Sequence, residues 1–377
     1  MATARTYAGC RTGAPARKRA PAGKACEEQG WRQQSQETRS DFDGQHHVRE
    51  HACGWGPEAS LRYAASSRCM LTPEWRLYSA HVEQSRGVTS GSGLPRSDWR
   101  PLRSDASISV VISAFNEAEH IARLLQSLRR QTREPGEVIV VDDGSVDGTA
   151  AIATSMEVTA LRVPHRGPAV GRNIGARAAN GEVLVFLDGD MACAPQFIER
   201  LVQPIIDGAI GTFTRDIYVG NPSNRWSRCY STMRGLEQGR LLPSTFPSSW
   251  DNFRAIRRDA FLSVGGYDDV GYGEDRTVAS KLGAHAVVAP RAECWHFNPS
   301  SLREIFSNGR WIGRGPQIRR VRPPWRDHTP PRVVGSIRRD IRSGLPPMLA
   351  VAARAAYHLG VVVGLLDSVV RPGRHWK

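Results

Sequence analysis

Hydrophobic residues fall into short dense runs separated by segments with helical spacing, and this rhythm begins only after residue 106. The run ISVVIS (108–113) is short and β-branched, which predicts a buried strand. Ile121, Leu124, Leu125 and Leu128 then recur at helical spacing and mark one apolar face. Asn116 reads as the N-cap of that helix, with Glu119 as its capping-box partner. Pro135-Gly136 breaks the chain, and EVIVV (137–141) is the next strand. Gly167–Ala179 reads as a loop and helix, EVLVFL (182–187) as a third buried strand, and Pro195–Ile206 as another helix. Residues 208–219 predict a further strand, and the Pro/Ser-rich stretch 241–256 a loop. A short helix from about Arg258, the pair Gly265-Gly266, a helix from about Asp275 and a late strand AVV (286–288) complete the pattern. Strands alternating with helices predict an α/β fold, Rossmann-like, with a mostly parallel sheet flanked by helices.

The flanks read differently. Residues 1–106 are rich in Arg, Ser, Gly, Gln and Ala and predict a disordered N-terminal extension. Beyond residue 300 lies a basic C-terminal helical tail. Its apolar helix, Met348–Leu366, is a 19-residue run interrupted by Arg354 and His358. A spanning helix needs about 20 predominantly apolar residues, so this one is marginal. Arg354 and His358 share one helical face, and basic clusters (Arg319–Arg342 and Arg371–Lys377) flank the run. That combination predicts an amphipathic helix lying on an anionic membrane surface, against the competing reading of a helix packed on the core. The expected organisation is therefore 1–106, 107–300 and 301–377.

Charge sharpens this division. The net charge is +14, but residues 107–300 carry 20 basic and 22 acidic side chains, while 301–377 carry 15 and 4. A nucleic-acid protein needs a basic face on its folded core, and this partition supplies none, so no nucleic-acid partner is expected. The seven cysteines are scattered without a C-x-x-C pair, which argues against a disulfide framework or structural zinc and for a reducing compartment. No apolar h-region follows the N-terminal Arg and Lys residues, so no signal peptide is expected.

Candidate chemistry concentrates at strand ends. Asp142-Asp143 follows the second strand, Asp188-Gly189-Asp190 the third, and Glu274-Asp275 stands in GYGEDR. Carboxylates at strand ends, where loops meet a crevice, can hold a metal, a ribose or a hydroxyl. Asp188 and Asp190, two apart, are hard oxygen ligands suited to Mg²⁺ or Mn²⁺ bridging a diphosphate.

Together these stretches resemble the inverting glycosyltransferases of family 2, which have the GT-A fold. The resemblance runs through VVISAFNEAEHIARLLQSL, VIVVDDGSVDGT, GRNIGARAANGEVLVFLDGD and NFRAIRRDAFLSVGGYDDVGYGEDRTVASKL in order, over about residues 107–300. It implies transfer of a sugar from a UDP- or GDP-type nucleoside diphosphate sugar to an acceptor hydroxyl of a lipid-linked or cell-envelope glycan. The cysteine pattern and the basic flanks of the apolar helix together point to a cytoplasmic location, peripheral on the inner face of the membrane. By the resemblance, Asp143, or second Asp142, would bind the nucleoside, Ala114, Phe115 and Glu117 would line the base pocket, and Arg172 would approach the nucleotide phosphates or base. Asp188 would lie beside the nucleotide sugar and, with Asp190 and a late histidine, His296, would hold the metal. Asp275 would be the general base and Glu274 would orient the acceptor. Gly175 and Ala176 would allow close helix packing. Arg310-Trp311 faintly resembles the Q-x-x-R-W motif of processive synthases, but Ser307 stands in the place of glutamine, so single addition is expected. A sugar nucleotidyltransferase would need a Gly-rich basic phosphate loop after the first strand, and SAFNEAEH is acidic and lacks glycine. A non-catalytic basic binding module would leave the three acid clusters without a task.

Overall fold

The computed structural model describes residues 99–236, 239–315 and 328–370. Residues 1–98 of the expected extension thus lie outside the described residues. Its last residues, from Trp99, are pinned to the core. The amide of Leu102 donates to the Ile206 carbonyl (3.0 Å), and Arg257 lies over the Trp99 ring.

The first half follows the expected alternation. Strand β1 (Ile108–Ala114) leads to α1 (Ile121–Leu128), β2 (Glu137–Asp142), α2 (Thr149–Ser155), β3 (Thr159–Arg162), α3 (Pro168–Ala178) and β4 (Val183–Asp188). Helix α1 buries Ile121, Leu124, Leu125 and Leu128, the face its spacing marked. Then come β5 (Met191–Cys193), α4 (Phe197–Ile206), β6 (Gly211–Phe213), β7 (Ile217–Val219), α5 (Arg225–Met233), β8 (Ser249–Trp250) and β9 (Ala255–Arg257). The remainder is α6 (Arg258–Ser263), a 3-10 turn at Glu274–Arg276, α7 (Thr277–Leu282), β10 (Ala286–Val288), β11 (Cys294–His296), α8 (Leu302–Arg314), α9 (Pro330–Arg342) and α10 (Pro347–Val370).

Eight strands form one sheet in the order β3-β2-β1-β4-β9-β6-β10-β8, with β1, β2, β3 and β4 mutually parallel. The chain winds from β1 out to β3, then returns to the other side of β1 as β4. That reversal opens a crevice at the carboxyl ends of β1 and β4, where α/β sheets bind ligands. The register sets the acids there: Ala114 pairs with Asp142, and Ser113 with Asp188. Helix α3 lies close on β1 because Gly175 has no side chain; a Cβ there would strike Val111. A second sheet, β5-β11-β7, sits beside the first.

Three expectations are corrected. Residues 208–219 form two strands in different sheets, because the chain leaves β6 at Thr214 to pair β7 with β11. Asn116 is not a helix cap: it has φ 56°, α1 starts at Ile121, and His120 occupies the cap position. The Asn116 amide donates to Ser145 Oγ (2.8 Å) and its Oδ1 accepts from the Val146 amide (2.9 Å). Partners from the next loop therefore outcompete local capping. Third, Arg354 and His358 do not form an outward polar face. Arg354 is 5% exposed and donates bidentately to Asp340 (2.6 and 2.9 Å) and to the Met233 carbonyl (3.0 Å). His358 Nδ1 lies 2.7 Å from His328 Nδ1.

Helix α10 is long and apolar enough to cross a membrane by length and composition, yet one face is buried on α8, α9 and α5. Small residues explain how close it comes. A Cβ on Gly309 or Gly313 of α8 would collide with the carbonyl oxygen of Tyr357 or Val361, and one on Gly360 or Gly364 of α10 with that of Phe306 or Arg310. The two backbones thus touch through paired G-x-x-x-G stretches, a geometry only glycine permits here. Gly364→Val should destabilise the protein by about 1–3 kcal/mol or more, since backbone cannot yield as a side chain tip can. A fall in the urea midpoint would register this; an unchanged midpoint would contradict the close crossing.

Candidate active site

Strand alternation and register bring the acid clusters to the crevice, and long-range polar contacts then give each carboxylate a different environment. At the end of β2, Asp143 is fully engaged. Its Oδ1 accepts from the Arg166 amide (2.8 Å), and its Oδ2 from the Gly167 amide (2.8 Å) and His165 Nδ1 (2.8 Å). It therefore anchors the loop that enters α3. Asp142, 1% exposed, accepts from the Ser145 amide at Oδ1 (3.0 Å). Its buried Oδ2 has no hydrogen-bond partner, the nearest cation being Arg162 Nε at 3.6 Å. An orphaned buried carboxylate oxygen costs free energy unless a ligand completes it.

The residues after β1 form the facing wall. The Phe115 ring stacks on His165, centroids 3.9 Å apart. The Glu117 amide donates to Thr149 Oγ1 (2.8 Å), and its carboxylate faces His120 Nδ1 (3.2 Å). Glu117 lies directly over Gly189, where a Cβ would collide with it. Ala114 is buried beneath this wall.

Asp188 and Asp190 diverge sharply. Asp188 accepts from Arg172 Nη2 (2.7 Å) and Arg254 Nη1 (3.2 Å), one guanidinium on each oxygen. Burial works to raise its carboxyl, but Arg172 and then Arg254 outweigh it and hold it far below the carboxylate range. Asp190 instead keeps Oδ1 buried without a hydrogen-bond partner, 3.5 Å from His296 Nε2, and His296 Nδ1 is orphaned as well. Among the described residues no group of three or more His, Cys, Asp or Glu is placed to hold a metal. The described residues bring Asp190 and His296 together here, while Asp188 is turned to the arginines.

Arg172 joins the clusters. Its Nη1 donates to Glu274 Oε1 (2.9 Å) while Nη2 holds Asp188, so β4 and the 274–276 turn meet through one guanidinium. Glu274 is buried, and burial raises its carboxyl to about 7, with Arg172 opposing and Asp275 adding to the rise. Glu274 also lies against Gly167, Ala169, Asp269 and Gly271 in a shallow surface depression, which brings it to the loop that Asp143 anchors. Asp275 is half-buried, and its Oδ2 accepts from Asn252 Nδ2 (2.5 Å). The turn that leaves α6 needs Gly266 at φ 75°, where a Cβ would strike Asn173; Asn173 in turn bonds the Tyr267 backbone from both sides.

Glu274 carries a pH signature. Its ordinary value is 4.5 and its folded value about 7, so the folded state holds the proton longer. The stability it contributes is complete below about 4.5 and is lost as pH rises through about 7. Glu274→Gln should remove that slope: wild type should lose stability relative to the variant between about pH 4.5 and 7 in thermal melts. A parallel pH dependence in both proteins would refute the raised value.

Asn252 and Arg254 were not legible, because 241–256 reads as a Pro/Ser-rich loop. Their signal is the alternation Asn252-Phe253-Arg254: Phe253 points into the core (1% exposed) and its neighbours point to the acids. His165, behind Asp143, gave no sequence signal.

Residues 109–265 match the family model for glycosyl transferase family 2, and the chain carries a domain of that family, with its GT-A α/β fold. The pre-mycofactocin glycosyltransferase of Mycobacterium tuberculosis is 29% identical over 299 residues, 74% of this chain and 62% of that protein. The chain thus spans less than two thirds of that relative's length. The glycosyltransferase AglE of Haloferax volcanii is 37% identical over 106 residues, covering 26% of this chain and 35% of that protein. Among solved structures, the mannosyltransferase PcManGT from Pyrobaculum calidifontis, in complex with GDP-Man and Mn²⁺, is 17% identical with a TM-score of 0.44. That match covers 78% of this chain and 94% of that one.

Proposed function

We propose that this protein is an inverting glycosyltransferase that moves a sugar from a UDP- or GDP-type nucleoside diphosphate sugar to an acceptor hydroxyl. The observation that carries the reading is the Arg172 bridge, which ties the acid at the end of β4 to the Glu274-Asp275 turn across the crevice. Asp275 accepts the acceptor's hydroxyl proton as that oxygen forms its bond to the anomeric carbon. The bond from that carbon to the diphosphate breaks, and nucleoside diphosphate leaves. Asn252 orients the base and Glu274 orients the acceptor.

Asp142, with its unpartnered Oδ2, takes the nucleoside in preference to Asp143, whose oxygens are already used. Phe115 and Ala114 line the base, with Glu117 at the edge nearer Gly189. Arg172 and Arg254 stand where the diphosphate must pass, beside Asp188. The donor set of Asp190 and His296 fits Mg²⁺ or Mn²⁺, since such ions commonly complete their shell with substrate phosphates and water. When bound, the ion offsets charge on the leaving diphosphate. A lipid-linked or cell-envelope glycan is the proposed acceptor, which places the enzyme in the cytoplasm at the inner face of the membrane.

A screen of nucleotide sugars, reading free nucleoside diphosphate with and without Mn²⁺, tests this. One donor should turn over, and Asp190→Ala should raise the Mn²⁺ concentration needed for half-maximal rate by about tenfold or more. No turnover with any donor, or an unchanged Mn²⁺ titration in the variant, would count against the reading.

A further inference from the structure

Helix α10 has two faces, and the structure accounts for only one. Its inner face carries Ala350, Ala353, Arg354, Tyr357, Gly360 and Val361, packed on the neighbouring helices. Its outer face carries Met348, Val351, Leu359, Val362, Leu366 and Val369, with Leu359 59% and Leu366 61% exposed. No exposed position between Pro347 and Val370 bears a charge. The 24-residue helix therefore offers a smooth apolar ridge about 36 Å long. Soluble surfaces rarely leave such a ridge bare.

The surrounding charge selects the occupant. Residues 301–377 carry 15 basic and 4 acidic side chains. Two of the acids are consumed internally, Asp340 by Arg354 and Asp367 by Arg310 and Arg314. Among the described residues Arg338 and Arg342 are exposed on α9, and Arg371, Arg374 and Lys377 follow the ridge in sequence. A second copy would bring the same excess against itself. Nor could it approach closely, since the glycines of α10 are already used against α8. An apolar ridge in a segment with this basic excess fits anionic lipid.

We infer that α10 lies flat on an anionic lipid surface, outer ridge down, while its inner face stays docked on α8 and α9. This builds on the membrane-face location proposed for the enzyme and specifies its mode. The helix does not cross. Crossing would strip Arg354 from Asp340 and Asp367 from its arginines, at about 2.5–3.5 kcal/mol for each charge carried to the bilayer centre. The crossing glycines and buried ion pairs hold it to the protein.

Sedimentation of the full chain with phosphatidylcholine vesicles, with and without phosphatidylglycerol, tests the inference. Wild type should pellet with the anionic vesicles, less so as salt rises, and be released from them intact by high salt at alkaline pH. Leu359→Glu/Leu366→Glu changes only exposed positions and should bind at least about tenfold more weakly. Arg338→Glu/Arg342→Glu should lose most of the preference for phosphatidylglycerol. Wild type remaining in the supernatant, equal pelleting of the ridge variant, or resistance to extraction would each overturn the inference. So would a wild-type dimer that the ridge variant dissociates, which would assign the ridge to a second copy. Nucleoside diphosphate release without vesicles, measured on the same proteins, reports the donor chemistry separately.

Discussion

Asp275→Asn should lower kcat by about 10²–10⁴-fold, the contribution of a positioned general base, and leave donor affinity nearly unchanged. The replacement is isosteric and remains within reach of Asn252, so the 274–276 turn should keep its shape. What it loses is the ability to take a proton from the acceptor. The donor is assigned to other elements: Asp142 at the end of β2, the wall after β1, and the Asp190–His296 pair. Single-turnover kinetics with a nucleotide-binding titration on the same protein separate the two effects. Full turnover would remove Asp275 from the base role, and a large loss of donor affinity would give it a different one.

Asp340→Ala should destabilise the protein by about 3–5 kcal/mol, because it leaves the Arg354 guanidinium buried with only the Met233 carbonyl for company. Asp340 is 1% and Arg354 5% exposed, so water does not replace the lost partner. Asp340→Ala/Arg354→Met should recover much of the loss, since an apolar pair carries no desolvation cost. Denaturant unfolding of the three proteins checks this. A single variant as stable as wild type would show that the pair is not shielded.

The β1-to-β4 alternation was legible because apolar runs and helical spacing are local properties of the backbone. Ile121, Leu124, Leu125 and Leu128 show this directly, being both the spaced set and the buried set. The acids at the ends of β2 and β4 were legible for the same reason, as polarity following a buried strand marks a sheet's rim. The loop reading of 241–256 concealed Asn252 and Arg254, because β8 has two residues and β9 three, too short for periodicity to register. The C-terminal helix was legible as an apolar run, but not which side of it turns inward. Arg354 looks like a surface residue until Asp340, 14 positions earlier, is seen to fold against it.

Sequence alone determined the α/β class, the strand and helix order of the first half, and the rim position of Asp142, Asp143, Asp188 and Asp190. Tertiary structure alone decided which of those carboxylates stays open. Asp143 is closed by amides 23 and 24 residues away, and Asp188 by guanidiniums 16 and 66 residues away, while Asp142 and Asp190 each keep an unpartnered oxygen. Periodicity encodes where a backbone runs, and so which side chains reach the rim. The chemistry left to each is set by hydrogen-bond partners from distant segments, whose distances no local pattern contains.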